Sequence, residues 1–190
     1  IIHVVRCFKN DDIAHVHNEI DPVIDLETVE TELLLADLET ISNAKQRLEK
    51  ASRSGDKEVL ASKEKLEILT ADLNKGILAR HSEFYINNAD YFKELQLITT
   101  KPCIYIANVE DIENENPLVD QLVQYAQSNN AQVLKLCNQL EAEIAELDQE
   151  EGIEFLEDLG MDEPGLNKLI RASYEMLSLQ TYFTAGVKEV

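Results

Sequence analysis

Pro102-Cys103-Ile104-Tyr105-Ile106-Ala107-Asn108-Val109 is an apolar run that gives way to the acidic pair Glu110-Asp111. Its β-branched and aromatic content reads as a strand buried on both faces, ending in a polar loop. Towards the C-terminus, residues 116–128 carry a helical apolar period with Pro117 near the first turn. Ala131-Gln132-Val133-Leu134-Lys135-Leu136-Cys137 reads as a further strand, and 138–147 as a further helix. Strand, helix, strand, helix with short links predicts a parallel sheet in an α/β fold. Two more helices are expected over 151–159 and 164–177, split by Gly160, and a strand-like segment over 179–190.

Towards the N-terminus the pattern changes. A short helix is expected near 88–99. Before it, Leu34, Leu38, Ile41, Ala44, Leu48 and Ala51 recur at spacings of three and four, with Asp25 as the predicted N-cap. Ser52-Arg53-Ser54-Gly55-Asp56 interrupts with turn chemistry. Val59, Leu66, Leu69, Leu73 and Ile77 then resume the period until Gly76 weakens it. Two helices of about 25 residues joined by a short link fold back as an antiparallel hairpin of roughly 35–40 Å. Their narrow apolar seams flanked by charge are coiled-coil-like. Residues 1–8 (Ile1-Ile2-His3-Val4-Val5-Arg6-Cys7-Phe8) are β-branched and apolar and read as the first strand, buried, followed by a loop holding His15 and His17. The expected architecture is a parallel α/β sheet with a helical hairpin inserted between its first and second strands.

The 190 residues are 44% hydrophobic, which is enough for a core and excludes global disorder. No run of eighteen apolar residues occurs, so no membrane span is expected. The start reads as a strand rather than a leader, and the chain is expected to be a piece of a longer protein. The formal charge is -20, which repels nucleic acid and anionic membrane as a whole; contact with either would need a local basic patch. Residues 101–165 hold sixteen Asp and Glu against only Lys101 and Lys135. One basic cluster stands out, Lys45, Arg47, Lys50, Arg53 and Lys57 around the hairpin turn. It is a candidate contact for RNA, although a solvated helical surface has the same composition. No aromatic residue interleaves there, so base stacking is not expected. Cys7, Cys103 and Cys137 are odd in number and lack metal spacing, which reads as small buried thiols.

In open α/β sheets ligands bind beyond the carboxyl ends of the strands. Here those ends lead to the His15 loop, to Asn108-Val109-Glu110-Asp111, and to Cys137-Asn138-Gln139. An Asn-x-x-Asp sequence after a buried strand suits a purine. The carboxylate can accept from N1–H and the exocyclic amine of guanine, and the Asn amide can tie neighbouring loops and touch the base edge. An ordinary turn has the same residues. No GxxxxGK[ST] or GxGxxG phosphate cradle occurs, nor HExxH, GxSxG or CxxC, and no metal site is assigned. The segment alone is therefore not expected to hold a triphosphate tightly.

Several stretches together resemble one family. These are Val4-Val5-Arg6-Cys7-Phe8 with Asn10-Asp11 and His15-Val16; Thr31-Glu32-Leu33 with Leu35-Ala36-Asp37-Leu38; Tyr105-Ile106-Ala107-Asn108-Val109; Ala145-Glu146-Leu147; and Leu179-Gln180-Thr181-Tyr182-Phe183-Thr184-Ala185-Gly186 with Glu189-Val190. The chain resembles the YchF subfamily of Obg-like P-loop NTPases over essentially its whole length. The resemblance implies a P-loop NTPase-type sheet. It divides the chain into parts of a nucleotide-binding domain (1–22 and 100–178), an inserted helical domain (23–99) and the start of a TGS domain (179–190). It also implies hydrolysis of ATP or GTP with magnesium (Mg) held by ligands outside this segment, association with the ribosome, and a cytoplasmic, monomeric protein. The histidine that the family places in hydrolysis matches His15, and an imidazole there is suited to orienting the attacking water.

The base motif departs from the family's Asn-x-x-Glu. Asp111 stands last, Glu110 precedes it, and Val109 replaces the Lys of ordinary GTPases. Val109 is expected to offer an apolar face to the base, Asp111 to lean towards guanine, and the backbone of Cys137-Asn138-Gln139 to face the base edge. A rival reading is a non-enzymatic coiled-coil module that binds protein or RNA beside a dead nucleotide pocket.

Overall fold

The computed structural model describes residues 1–10, 20–51 and 57–183. Its strands are β1 (Ile2–Arg6), β2 (Ile104–Asn108) and β3 (Gln132–Leu136). Its helices are α1 (Pro22–Ala51), α2 (Lys57–Asn74), α3 (Glu83–Asn87), α4 (Ala89–Phe92), α5 (Pro117–Ser128), α6 (Asn138–Glu146), α7 (Gln149–Asp158) and α8 (Gly165–Met176). The chain divides into two compact units, a helical one (Ile1 with Val23–Cys103) and a sheet unit discontinuous in sequence (Ile2–Pro22 with Ile104–Val190).

In the sheet unit the strands run parallel in the order β1-β2-β3, with Val4 opposite Ile106 and Ile106 opposite Leu134. Ile104, Tyr105, Ile106 and Ala107 are all buried, as a central parallel strand requires. Successive side chains alternate between the faces. The odd face carries Tyr105, whose ring lies 6.2 Å from Tyr125 of α5 and 5.6 Å from His3. The even face carries Leu136, against which Gly165 of α8 packs so closely that no Cβ fits there. Glu141 of α6 fixes that approach, its carboxylate accepting from the N–H of Gly165 at 2.7 Å and of Leu166 at 2.9 Å. Residues 179–183 have no regular structure, contrary to the expected strand, and 184–190 lie outside the described residues.

In the helical unit the predicted hairpin is present with unequal arms. α1 has 30 residues and α2 has 18. The first helix starts at Pro22, not after Asp25, because proline with its preset φ suits the first helical position; Asp25 falls in the first turn instead. The second helix stops at Asn74, where Gly76 at φ +81° lets the Ile77 N–H reach back to the Asp72 carbonyl at 3.2 Å. Leu34 and Ile41 of the first arm share a core with Leu66, Leu69 and Leu73 of the second, and Glu49 pairs with Lys63 at 3.2 Å, so the arms run antiparallel. The single short helix expected near 88–99 is absent. Two short helices and single 3-10 turns occupy 83–100, closed by Phe92 and Leu97 in the core.

Candidate nucleotide-base site at the strand ends

The carboxyl ends of the three strands are stitched together. The Cys7 N–H donates to the Asn108 carbonyl at 2.8 Å, and the Val109 N–H donates to the Leu136 carbonyl at 2.9 Å, extending each ladder one step past the strand. Asn108 then turns its amide across the gap, with Oδ1 accepting from the Asn138 N–H at 3.1 Å. That bond caps the first turn of α6 and leaves Nδ2 as the donor end of the side chain. Cys137, between β3 and α6, is buried, and its Sγ donates to the Glu110 carbonyl at 3.5 Å. Asn116 accepts from the Leu118 N–H at 3.0 Å to cap α5, while its Nδ2 donates to the Cys7 carbonyl at 2.6 Å.

The loop before α5, the β3–α6 junction and the end of α7 enclose an open cleft of about 1320 Å³. Glu110, Asp111, Cys137 and Gln139 line it. Asn108, two residues before Glu110, and Asn138, between Cys137 and Gln139, are joined by their hydrogen bond but are not among the lining residues. Gln139 is turned along its helix, donating to Glu143 at 3.1 Å. Val109 differs from the expected apolar face towards a base. It is buried, because its strand-like backbone bond to Leu136 points the side chain into the core. Asp111 is exposed, and its carboxylate bonds within its own loop, to the Glu113 N–H at 2.8 Å and to Asn114 Nδ2 at 2.7 Å. Seven lining residues are Asp or Glu and only Lys168 is basic, which disfavours phosphate within this cleft.

His15 lies outside the described residues, as does Arg53. In the helical unit, Arg47 and Lys50 are exposed three residues apart and share a face of α1, Lys45 is half-buried round the other side, and Lys57 opens α2. The three cysteines are buried and form no disulfide. Burial pushes the Cys103 thiol up, with the nearby Arg80 guanidinium only partly offsetting it. Among the described residues no helix is long and apolar enough to cross a membrane.

Sequence reading missed Asn116, Lys135 and Glu141. Asn116 had a local signal, a capping residue directly before Pro117. The other two act on partners more than twenty residues away and carried none.

The chain is 49% identical over 189 residues to a protein of Haemophilus ducreyi named ribosome-binding ATPase YchF, covering 99% of this chain and 52% of the relative. A Bacillus subtilis protein of the same name is 43% identical over 196 residues, covering 100% of this chain and 53% of the relative. The chain belongs to the YchF family. The solved structure of the Schizosaccharomyces pombe YchF GTPase matches with a TM-score of 0.78 and 27% identity, over 97% of this chain and 52% of that one. No family model matches. The chain thus spans about half the length of the YchF relatives it matches.

Proposed function

We propose that this chain supplies the base-holding part of an ATP- or GTP-hydrolysing site and, on its helical hairpin, a contact for the ribosome. The observation that supports the first most directly is the Asn108–Asn138 bond, which draws two strand ends into one polar rim beside a cleft large enough for a purine. On this reading Asn108 Nδ2 and the backbone of 137–139 meet the base edge. Glu110 and Gln139 flank it, and Val109 and Asp111 shape the loop beneath. The names of the relatives, an ATPase and a GTPase, agree with a purine nucleotide as the ligand.

The phosphates belong elsewhere, since the cleft is edged by carboxylates. Magnesium would arrive on those phosphates and screen their charge. Its ligands are proposed to lie outside this segment. His15 is proposed to orient the attacking water. Residues 1–22 and 100–178 are assigned to the nucleotide-binding domain, 23–99 to an inserted domain and 179–190 to the start of a TGS domain. With a ribosome as partner, the protein is proposed to be cytoplasmic and to act as a monomer.

Equilibrium binding of ATP and GTP to the full-length protein, with turnover measured alongside, tests the enzymatic reading. His15→Ala should cut hydrolysis at least tenfold while leaving nucleotide affinity within a few-fold; unchanged turnover removes His15 from the mechanism. Failure of the wild type to bind either nucleotide would leave the non-enzymatic alternative. Charge reversal at Arg47 and Lys50 should weaken ribosome binding and flatten its salt dependence. Binding that ignores both changes points to another surface.

A further inference from the structure

Residues 109–116, which join β2 to α5, are held from three sides. Val109 and Glu110 are tied to the end of β3 through the Leu136 carbonyl and the Cys137 thiol. Asn116 is tied to the end of β1 through the Cys7 carbonyl. Between these anchors the half-buried Lys135 sends its ammonium to two carbonyls at once, Ile112 and Asn114, each at 2.6 Å. Lys135 is the only Lys or Arg between Lys101 and Lys168, a stretch containing sixteen Asp and Glu. Four of those acids, Glu110, Asp111, Glu113 and Glu115, are in this one loop.

Asp111 closes the loop from within. A carboxylate that reads guanine must turn both oxygens outward to N1–H and the exocyclic amine. Here Oδ1 is on the Glu113 N–H and Oδ2 on the Asn114 amide, so both face the loop. Turning outward would break both bonds and leave a loop of four acids with less to hold it.

We propose that Lys135 is the positioning residue of the base loop, and that Asp111 locks the loop rather than selecting guanine. The proposal rests on the nucleotide reading above. A lysine in this place holds the two carbonyls that fix the loop's path past the cleft, and its charge offsets the loop's own. Loss of the ammonium releases the rim before it disturbs the strands, whose backbone ladder does not depend on it. Base discrimination then falls to Asn108 and the loop backbone, and Asp111 affects adenine and guanine nucleotides alike.

The test measures Kd for ATP and for GTP, and kcat and KM, in the full-length protein with Lys135→Met, Lys135→Arg and Asp111→Asn. Lys135→Met should raise Kd and KM for both nucleotides about tenfold with kcat held within twofold. Lys135→Arg, which retains two donors, should recover affinity to within about threefold of wild type. Asp111→Asn should leave the ratio of the two Kd values within twofold of wild type. A selective loss of GTP affinity of tenfold or more in Asp111→Asn overturns the lock, and unchanged Kd in Lys135→Met overturns the positioning role. A Lys135→Met protein that fails to fold while Lys135→Arg folds but binds no better than tenfold below wild type also overturns it. A wild type that binds neither nucleotide removes the underlying reading, an outcome distinct from all of these.

Discussion

In the helical unit, Asp37 is 1% exposed, and its carboxylate accepts from the Ile98 N–H at 2.7 Å, the Thr99 N–H at 2.8 Å and the Thr99 hydroxyl at 2.6 Å. Thr99 in turn accepts from the Ala79 N–H at 3.1 Å, and Glu30 pairs with Arg80 at 3.0 Å with both side chains largely buried. The sheet unit handles polarity the other way. Its Asn108, Asn116, Lys135 and Glu141 bind backbone groups at the rim, where one side of each stays near solvent. Polar groups sealed inside and fully matched hold an irregular chain in one arrangement. Polar groups fixed at strand ends are available to a ligand. The same residue types therefore serve stability in one unit and, on the proposed reading, a site in the other, and burial is what separates the two uses.

The largest effect should come from breaking the sealed network. Asp37→Ala removes a charged acceptor and strands two backbone donors, one of them fully buried. It should destabilise the helical unit by about 3–5 kcal/mol in urea unfolding. Nucleotide affinity of the protein that remains folded should be unchanged if the two uses are truly separate; a parallel loss of affinity would break the comparison. Gly165→Ala should come next. An added methyl meets the Leu136 side chain and the Glu141 carboxylate, so α8 must shift off β3 at a cost of about 1–3 kcal/mol. Unfolding monitored by Tyr105 and Tyr125 in the sheet unit would register that loss. The smallest change is favourable. Gly152 lies within α7 with open space where a Cβ would be, so Gly152→Ala should stabilise by about 0.5–1 kcal/mol in the same assay. A destabilising result there would mean that α7 has neighbours not accounted for.

The central strand, its two parallel partners and the helices after them were legible because each is a local pattern. The 104–107 run is apolar without alternation, and Pro117 marks a helix start. The hairpin was legible from its seam, but its start was misplaced because Asp25 is a good capping residue and Pro22 a better first one. The 83–100 region was not legible. Its single turns are set by Phe92 and Leu97 seating in a core built by α1 and α2. One signal was present and passed over. Glu30 and Asp37 recur on the same helical period as Leu34 and Ile41, and a charged residue on an apolar seam requires a buried partner. The partners, Arg80 and Thr99, lie 50 and 62 residues away, beyond any local pattern. At the candidate site, the residue types were readable from Asn108 and Asp111. The direction Asn108 faces was not, because it depends on β3 and α6 arriving beside β2, whereas Asp111 is turned by its own loop.

On the proposed reading, a cleft edged by seven carboxylates and one ammonium would also govern how a nucleotide arrives. The neutral ring meets little resistance, whereas the anionic tail is turned away, so productive encounters are those that present the ring first. The field that imposes this orientation reaches about 30 Å at 0.01 M salt and about 8 Å at 0.15 M. Capture should therefore quicken as salt is added, the reverse of ordinary attraction-driven steering.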